Sequence, residues 1–140
     1  MIKAIKVMLV PNNVQQTKMF QYAGASRFAY NWALAKEKEN YEKGGKFISD
    51  TELRKEFTKL RNSDEYSWLL NVSNNVTKQA IKDACTAYKN FFKGLQRYPK
   101  FKTKKKSKSK FYQDNIKIQF SDTHVNLKGS LLVRKLINKN

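Results

Sequence analysis

The 140-residue chain carries 29 Lys and Arg against 11 Asp and Glu, a net charge of +18, and its hydrophobic content is 40%. That length suits one domain with a real core. No apolar stretch approaches the roughly 20 residues that cross a bilayer, and the lysine-punctuated start does not read as a secretory leader. A lone cysteine (Cys85) and a lone histidine (His124) exclude an internal disulfide and a tetrahedral zinc site built by one chain. A cytoplasmic protein is expected, with no cofactor, no metal and no membrane partner.

Residues 2–10 alternate in the manner of a strand, closed by Pro11. Residues 15–23 read as a short helix ending near Gly24, and residues 26–43 as a second, stopped by Gly44-Gly45. Phe28, Trp32 and Ala35 mark one side of that second helix, and Tyr30, Leu34 and Tyr41 another. Ser49 and Glu52 have the spacing of a capping box for a third helix, whose buried stripe is Leu53, Phe57 and Leu60. A longer helix begins at Ser73 or Asn74 and ends at Gly94. It carries two apolar stripes, and on its opposite side Lys78, Lys82, Lys89 and Lys93 fall within a sector of about 60°.

That ridge runs into the most charged part of the chain. Residues 93–110 hold nine basic residues and no acid, a charge of +9, against +6 for residues 1–92 and +3 for residues 111–140. The basic residues are Lys93, Arg97, Lys100, Lys102, Lys104, Lys105, Lys106, Lys108 and Lys110, with Tyr98 and Phe101 among them. Such density is self-repelling unless a polyanion compensates it, and binding would release condensed counterions from nucleic acid. The run lacks the amphipathic pattern of a membrane-surface helix. Tyr98 and Phe101 suit either of two roles: pinning the segment around Pro99 onto a core, or stacking bases.

Beyond the run the period becomes two. Ile116, Ile118 and Phe120 alternate, Ser121-Asp122-Thr123 makes a turn, Val125 and Leu127 alternate, and Gly129-Ser130 precedes a last strand. The expected class is α+β: a small β-barrel or meander interrupted by a four-helix insertion.

Four stretches together resemble the N-terminal part of TnpB-type (OrfB-type) insertion-sequence transposases, the RNA-guided DNA endonucleases related to type V CRISPR effectors. They are IKAIKVMLVPNNVQQ at the start, SRFAYNWALA from Ser26, AYKNFFKG from Ala87, and YPKFKTKKKSKSKF from Tyr98. The resemblance implies a wedge-like barrel from residues 1–11 and 116–140, a helical recognition or helix-turn-helix region over 12–95, and a basic aromatic segment over 96–115. It also implies that these parts hold a guide RNA, its heteroduplex with target DNA and a short target-adjacent motif. That motif would be read from the helix near Asn74 and Lys78 and from the loop at Gln113 to Asn115, although Asn74 and Lys78 depart from the family's residue types. The family continues into an RNase H-like nuclease and usually a zinc ribbon, and neither is expected in these residues, so the barrel is read as truncated.

No catalytic residues are expected. Glu37, Glu39, Glu42, Glu52 and Glu56 read as solvated helix faces rather than a metal site. Binding residues would instead be Arg27, placed against the macrodipole in a helix's first turn, and Arg54 on the third helix. Asn74 and Lys78 at a helix start, the lysine ridge, the basic run, Gln113 and Asn115 complete the set. The partner is then nucleic acid, either guide-type RNA or target or element DNA, with a monomer as the working state. Two other classes fit the composition: an autonomous helix-turn-helix regulator using residues 15–43, and a ribosomal-type RNA-binding protein.

Overall fold

The computed structural model describes residues 6–106, 109–112, 119–121, 124–126 and 132–135. Its elements in chain order are β1 (Leu9–Val10), α1 (Asn13–Glu42), α2 (Asp50–Arg61), a 3-10 helix (Ser67–Asn71), α3 (Asn74–Phe92), β2 (Gln119–Phe120), β3 (His124–Asn126) and β4 (Leu132–Lys135). Two compact units result. One combines Met1–Phe20 with Gln113–Asn140, and the other is Gln21–Tyr112.

Each helix has a local cause. Asn12 caps α1: its side chain accepts from the Gln15 N–H (2.8 Å) while the Gln15 side chain accepts from the Asn12 N–H (2.9 Å). This is an amide version of the capping box. At α2, Ser49 Oγ accepts from the Glu52 N–H at 3.3 Å, as its spacing predicts. α1 and α3 both end in the same way. Gly44 and Gly94 sit at φ +74°, and the next residue's N–H reaches back to Asn40 (2.9 Å) and Asn90 (2.9 Å) respectively. Only glycine adopts that left-handed geometry freely.

The helical unit is centred on Leu34, Leu53, Leu69, Val76, Ile81 and Tyr88, all essentially inaccessible to solvent. Aromatic side chains tie its helices together. Trp32 and Phe28 of α1 meet Phe57 of α2 at 5.2 and 6.3 Å, and Tyr41 of α1 meets Tyr88 and Phe92 of α3 at 6.4 and 5.5 Å. Arg61 holds the 3-10 helix by donating to the carbonyls of Leu69 (3.3 Å) and Val72 (2.9 Å). In the other unit the strands pair antiparallel in the order β1-β4-β3-β2, with registers Leu9↔Lys135, Val125↔Val133 and Phe120↔Val125.

These observations overturn the expected α+β barrel with a four-helix insertion. The molecule is predominantly helical, with helices of 30, 12 and 19 residues. Among the described residues its strands span two to four residues and close no barrel. Of the strand expected over 2–10, the described residues Lys6, Val7 and Met8 are not in a strand, and Leu9–Val10 pair with Lys135 and Arg134. Alternation marks a face; pairing sets strand length. Ile116, Ile118, Leu127 and the Gly129-Ser130 turn lie outside the described residues.

The two helices expected at 15–23 and 26–43 are one continuous α1. A helical glycine costs about 1 kcal/mol relative to alanine, and Gly24 sits between Ala23 and Ala25, both buried in the core. Burial on either side outweighs that penalty. The turn that a helix-turn-helix within residues 15–43 would need at Gly24 does not form. Arg27 is consequently mid-helix, and the argument from a first-turn macrodipole does not apply to it. Glu37, read as solvated, is 1% exposed.

Candidate nucleic-acid interface

The basic run could have been a loose linker, but its first half is fastened to the helical unit. Tyr98 presents its ring edge to Phe91 (centroids 4.9 Å apart) and shares a hydroxyl hydrogen bond of 2.7 Å with Tyr88. Burial, reinforced by that bond, pushes the Tyr88 phenol up. Pro99 is buried. Next, the Asn31 side chain clamps Lys102 in both directions, donating to its carbonyl and accepting from its N–H, each at 2.8 Å. An amide side chain here replaces a strand partner, satisfying both backbone groups of a single residue. Phe111 then meets Tyr22 edge-on at 5.4 Å.

This fastening creates a cleft of about 230 Å³ between helices and basic segment. α1 contributes Ala23, Ser26, Arg27 and Tyr30; α3 contributes Gln79, Ala80 and Asp83; the segment contributes Lys102, Lys110, Phe111 and Tyr112. Lys102 Nζ lies over the Tyr30 ring, 4.1 Å from its centroid. Desolvation lowers the Lys102 pKa first, the neighbouring Lys110 charge lowers it further, and Asp83 opposes both. Burial likewise raises the Tyr30 phenol, with Asp83 adding to it. Among the described residues the ion pairs are Lys36–Glu56, Lys43–Glu39 and Arg54–Asp50. None involves Arg27, Lys102 or Lys110, so the cleft concentrates cations that lack a salt-bridge partner.

A second cleft of about 170 Å³ lies between α2 and α3, lined by Arg54, Phe57, Thr58, Asn74, Thr77, Lys78 and Ile81. Here Asp50 holds Arg54 at 3.4 Å, and Thr51 Oγ1 accepts from the same guanidinium at 3.3 Å. Ser73 precedes α3 without a side-chain cap, so the first-turn N–H groups keep their partial positive charge.

The residues singled out in the sequence therefore fall into groups. Arg27, Lys102 and Lys110 converge in the first cleft, and Arg54, Asn74 and Lys78 in the second. Lys82, Lys89, Lys93, Arg97, Lys100, Lys104, Lys105 and Lys106 are exposed. Lys89 rests over the Phe47 ring at 5.4 Å. Tyr98 and Phe101 are 38% and 48% exposed, and Lys38 covers both rings at 4.8 and 4.3 Å. Of the two roles left open for Tyr98, anchoring is realised in its contacts with α3. Lys108, Gln113 and Asn115 lie outside the described residues. Sequence reasoning passed over Asn31, Lys38 and Asp83, because nothing local links them to the basic segment, and the Asn31–Lys102 contact spans 71 positions.

Comparison with known proteins supplies the context. Residues 1–46 match the helix-turn-helix domain of the OrfB/IS605 type. Over 124 residues the chain is 32% identical to an Escherichia coli (strain K12) protein named as an RNA-guided DNA endonuclease, InsQ. Over 107 residues it is 27% identical to a Streptomyces pristinaespiralis protein also named as an RNA-guided DNA endonuclease. Those alignments cover 89% and 76% of this chain but 31% and 27% of the two relatives.

Proposed function

The chain belongs to the OrfB/TnpB family, and on that premise we propose that it is a nucleic-acid-binding module, engaging guide-type RNA and DNA without cutting either. The observation that carries this reading is the cationic segment pinned across α1 and α3, with Arg27, Lys102 and Lys110 facing a shared cleft and forming no salt bridge among the described residues. Solvated charge alone needs no such fastening. A polyanion supplies the missing counter-charge and gains entropy from released counterions. Among the described acids, Asp50 is held by Arg54, Glu39 by Lys43, Glu56 by Lys36 and Asp83 by Gln79, each separately, which supports the non-cutting part of the proposal. Two-metal cleavage needs carboxylates that converge instead.

The test is a salt titration with structured RNA, RNA–DNA hybrid and B-DNA of equal length. If about six cations of the segment meet phosphates, log affinity falls against log salt with a slope near about −5. Lys104→Ala, Lys105→Ala and Lys106→Ala combined should flatten it by roughly two to three units. RNA and hybrid should compete better than B-DNA, because A-form helices are read through backbone shape and 2′-hydroxyls. Sequence-specific preference for B-DNA would instead indicate a duplex-reading regulator. An unchanged slope in the triple variant would reduce the segment to a linker.

A further inference from the structure

The first cleft contains one group that a phosphate site would not want. Asp83 is a carboxylate among Arg27, Lys102 and Lys110, and it repels phosphate rather than attracting it. It is not consumed by an ion pair. Its one hydrogen bond among the described residues is from the Gln79 side-chain amide to its Oδ1 at 2.9 Å. Gln79 Nε2 is thereby turned towards Asp83, which leaves the Gln79 carbonyl and the second Asp83 oxygen as acceptors. An ionised carboxylate cannot donate. The cleft therefore has a cationic part and an acceptor part, with Tyr112, 51% exposed, supplying an aromatic face beside them. Its volume of about 230 Å³ is below the roughly 300–1,000 Å³ of drug-sized ligand pockets, which limits the occupant to a single small planar group with its phosphate.

From this arrangement we infer that the cleft takes one unstacked nucleotide of the bound strand and selects guanine. Arg27 and Lys110 take the phosphate, Tyr112 stacks on the base, and Asp83 accepts from the base edge. Guanine is the one common base whose Watson–Crick edge offers two adjacent donors, N1–H and N2–H₂. Adenine and cytosine place an acceptor beside their amino group, and uracil flanks its single N–H with carbonyls. A flipped base is read in this way, by edge hydrogen bonds and stacking together. Lys102 is held over Tyr30 and sets the charge of the wall. The inference deepens the proposed function and rests on it for the source of the nucleotide.

The experiment is calorimetric titration of the full chain with GMP, AMP, CMP and UMP, with inorganic phosphate as competitor. GMP should bind about tenfold tighter than the other three, the discrimination a good paired contact to a base provides. Asp83→Asn replaces one acceptor with an N–H donor that meets guanine's own donors, and should bring all four within about twofold. Asp83 is exposed, so this variant should melt like the parent. Arg27→Gln should weaken all four alike. Equal affinities, an undiminished guanine preference in Asp83→Asn, or displacement of GMP by phosphate as effective as by GMP itself would each overturn the pocket. Absence of nucleotide binding would overturn it too, while a persistent salt slope with RNA would leave the proposed function standing. Loss of RNA binding with the guanine preference intact would mean the reverse.

Discussion

Of the charged residues that α1 carries in the helical unit, Arg27 and Glu37 have opposite surroundings. Arg27 opens on a cleft among other cations, with no acid paired to it among the described residues. Glu37 is closed in at 1% exposure, and its Oε1 has no hydrogen-bond partner among the described residues. A half-buried cation that opens on a cleft remains partly solvated at little cost, whereas an enclosed carboxylate loses its water and gains nothing equivalent. Unpaired charge at the cleft is thus available for a ligand, and unpaired charge in the core is a burden on folding. If that contrast holds, substitutions at the two places should separate: binding responds at one, stability at the other.

Glu37 should give the largest effect. Burial pushes its pKa up from 4.5 to about 7, against the Ile48 backbone and the Lys89 charge, which both pull it down. The folded state therefore holds the proton more tightly than the unfolded chain. The stability that the protonated acid contributes is full below about pH 4.5, is lost as pH rises through 7, and stays lost above it. Glu37→Gln, a neutral near-isostere, should match the parent in denaturant melts at pH 4.5 and exceed it by roughly 3 kcal/mol at pH 8. RNA affinity should not move. Equal stability at pH 8 would mean that Glu37 finds a partner in solution, and the contrast with Arg27 would disappear.

Asn31 tests what keeps the cleft open to a ligand in the first place. Asn31→Ala leaves the Lys102 N–H and carbonyl without their clamp. Both are part-buried, so a loss of about 1–2 kcal/mol is expected in melts. The Lys102 amide should also exchange with solvent much faster, and nucleotide affinity should fall with it. Asn31→Asp keeps the acceptor for the N–H but loses the donor, and should lie between. A variant with unaltered exchange at Lys102 would show that Tyr98 and Phe111 suffice to dock the segment.

The parts legible in the sequence were those written within one turn of chain. Ser49 and Glu52 stand three apart, and Gly44 and Gly94 stop their helices through their own backbone angles, so local chemistry settles each. Gly24 misled because its propensity is a small term that core burial of Ala23 and Ala25 overrides. Glu37 misled because a polar residue on a helix usually faces water, and here the surrounding core closes over it. The first strand was overextended at Lys6, Val7 and Met8, because period two says nothing about how much partner strand exists. At the candidate site, composition pointed to the basic run, and the run does carry cleft residues. What composition could not contain was the Asn31–Lys102 clamp, an interaction across 71 positions, or the isolation of Asp83 among cations.

The finest distinction is between the two clefts. Arg27 and Arg54 are both helix arginines lining a cationic hollow, but only Arg54 is held by a carboxylate, Asp50 at 3.4 Å. To meet a phosphate, Arg54 must first weaken that pair, so most of what it gains is offset. Arg27 has no such pair to give up. Arg27→Gln should therefore lower RNA affinity about tenfold at 0.15 M salt, the size of one charge-assisted hydrogen bond, and Arg54→Gln less than about threefold. Asp50→Asn releases Arg54, and on that background Arg54→Gln should rise to the effect seen at Arg27. The helix should lose some stability, because Asp50 also faces the positive end of the α2 macrodipole, but by at most about 1 kcal/mol. A double-mutant cycle between positions 50 and 54 isolates the coupling. Its sign decides the matter: coupling near zero in RNA affinity would place Arg54 away from the bound strand and leave the Arg27 cleft as the contact that counts.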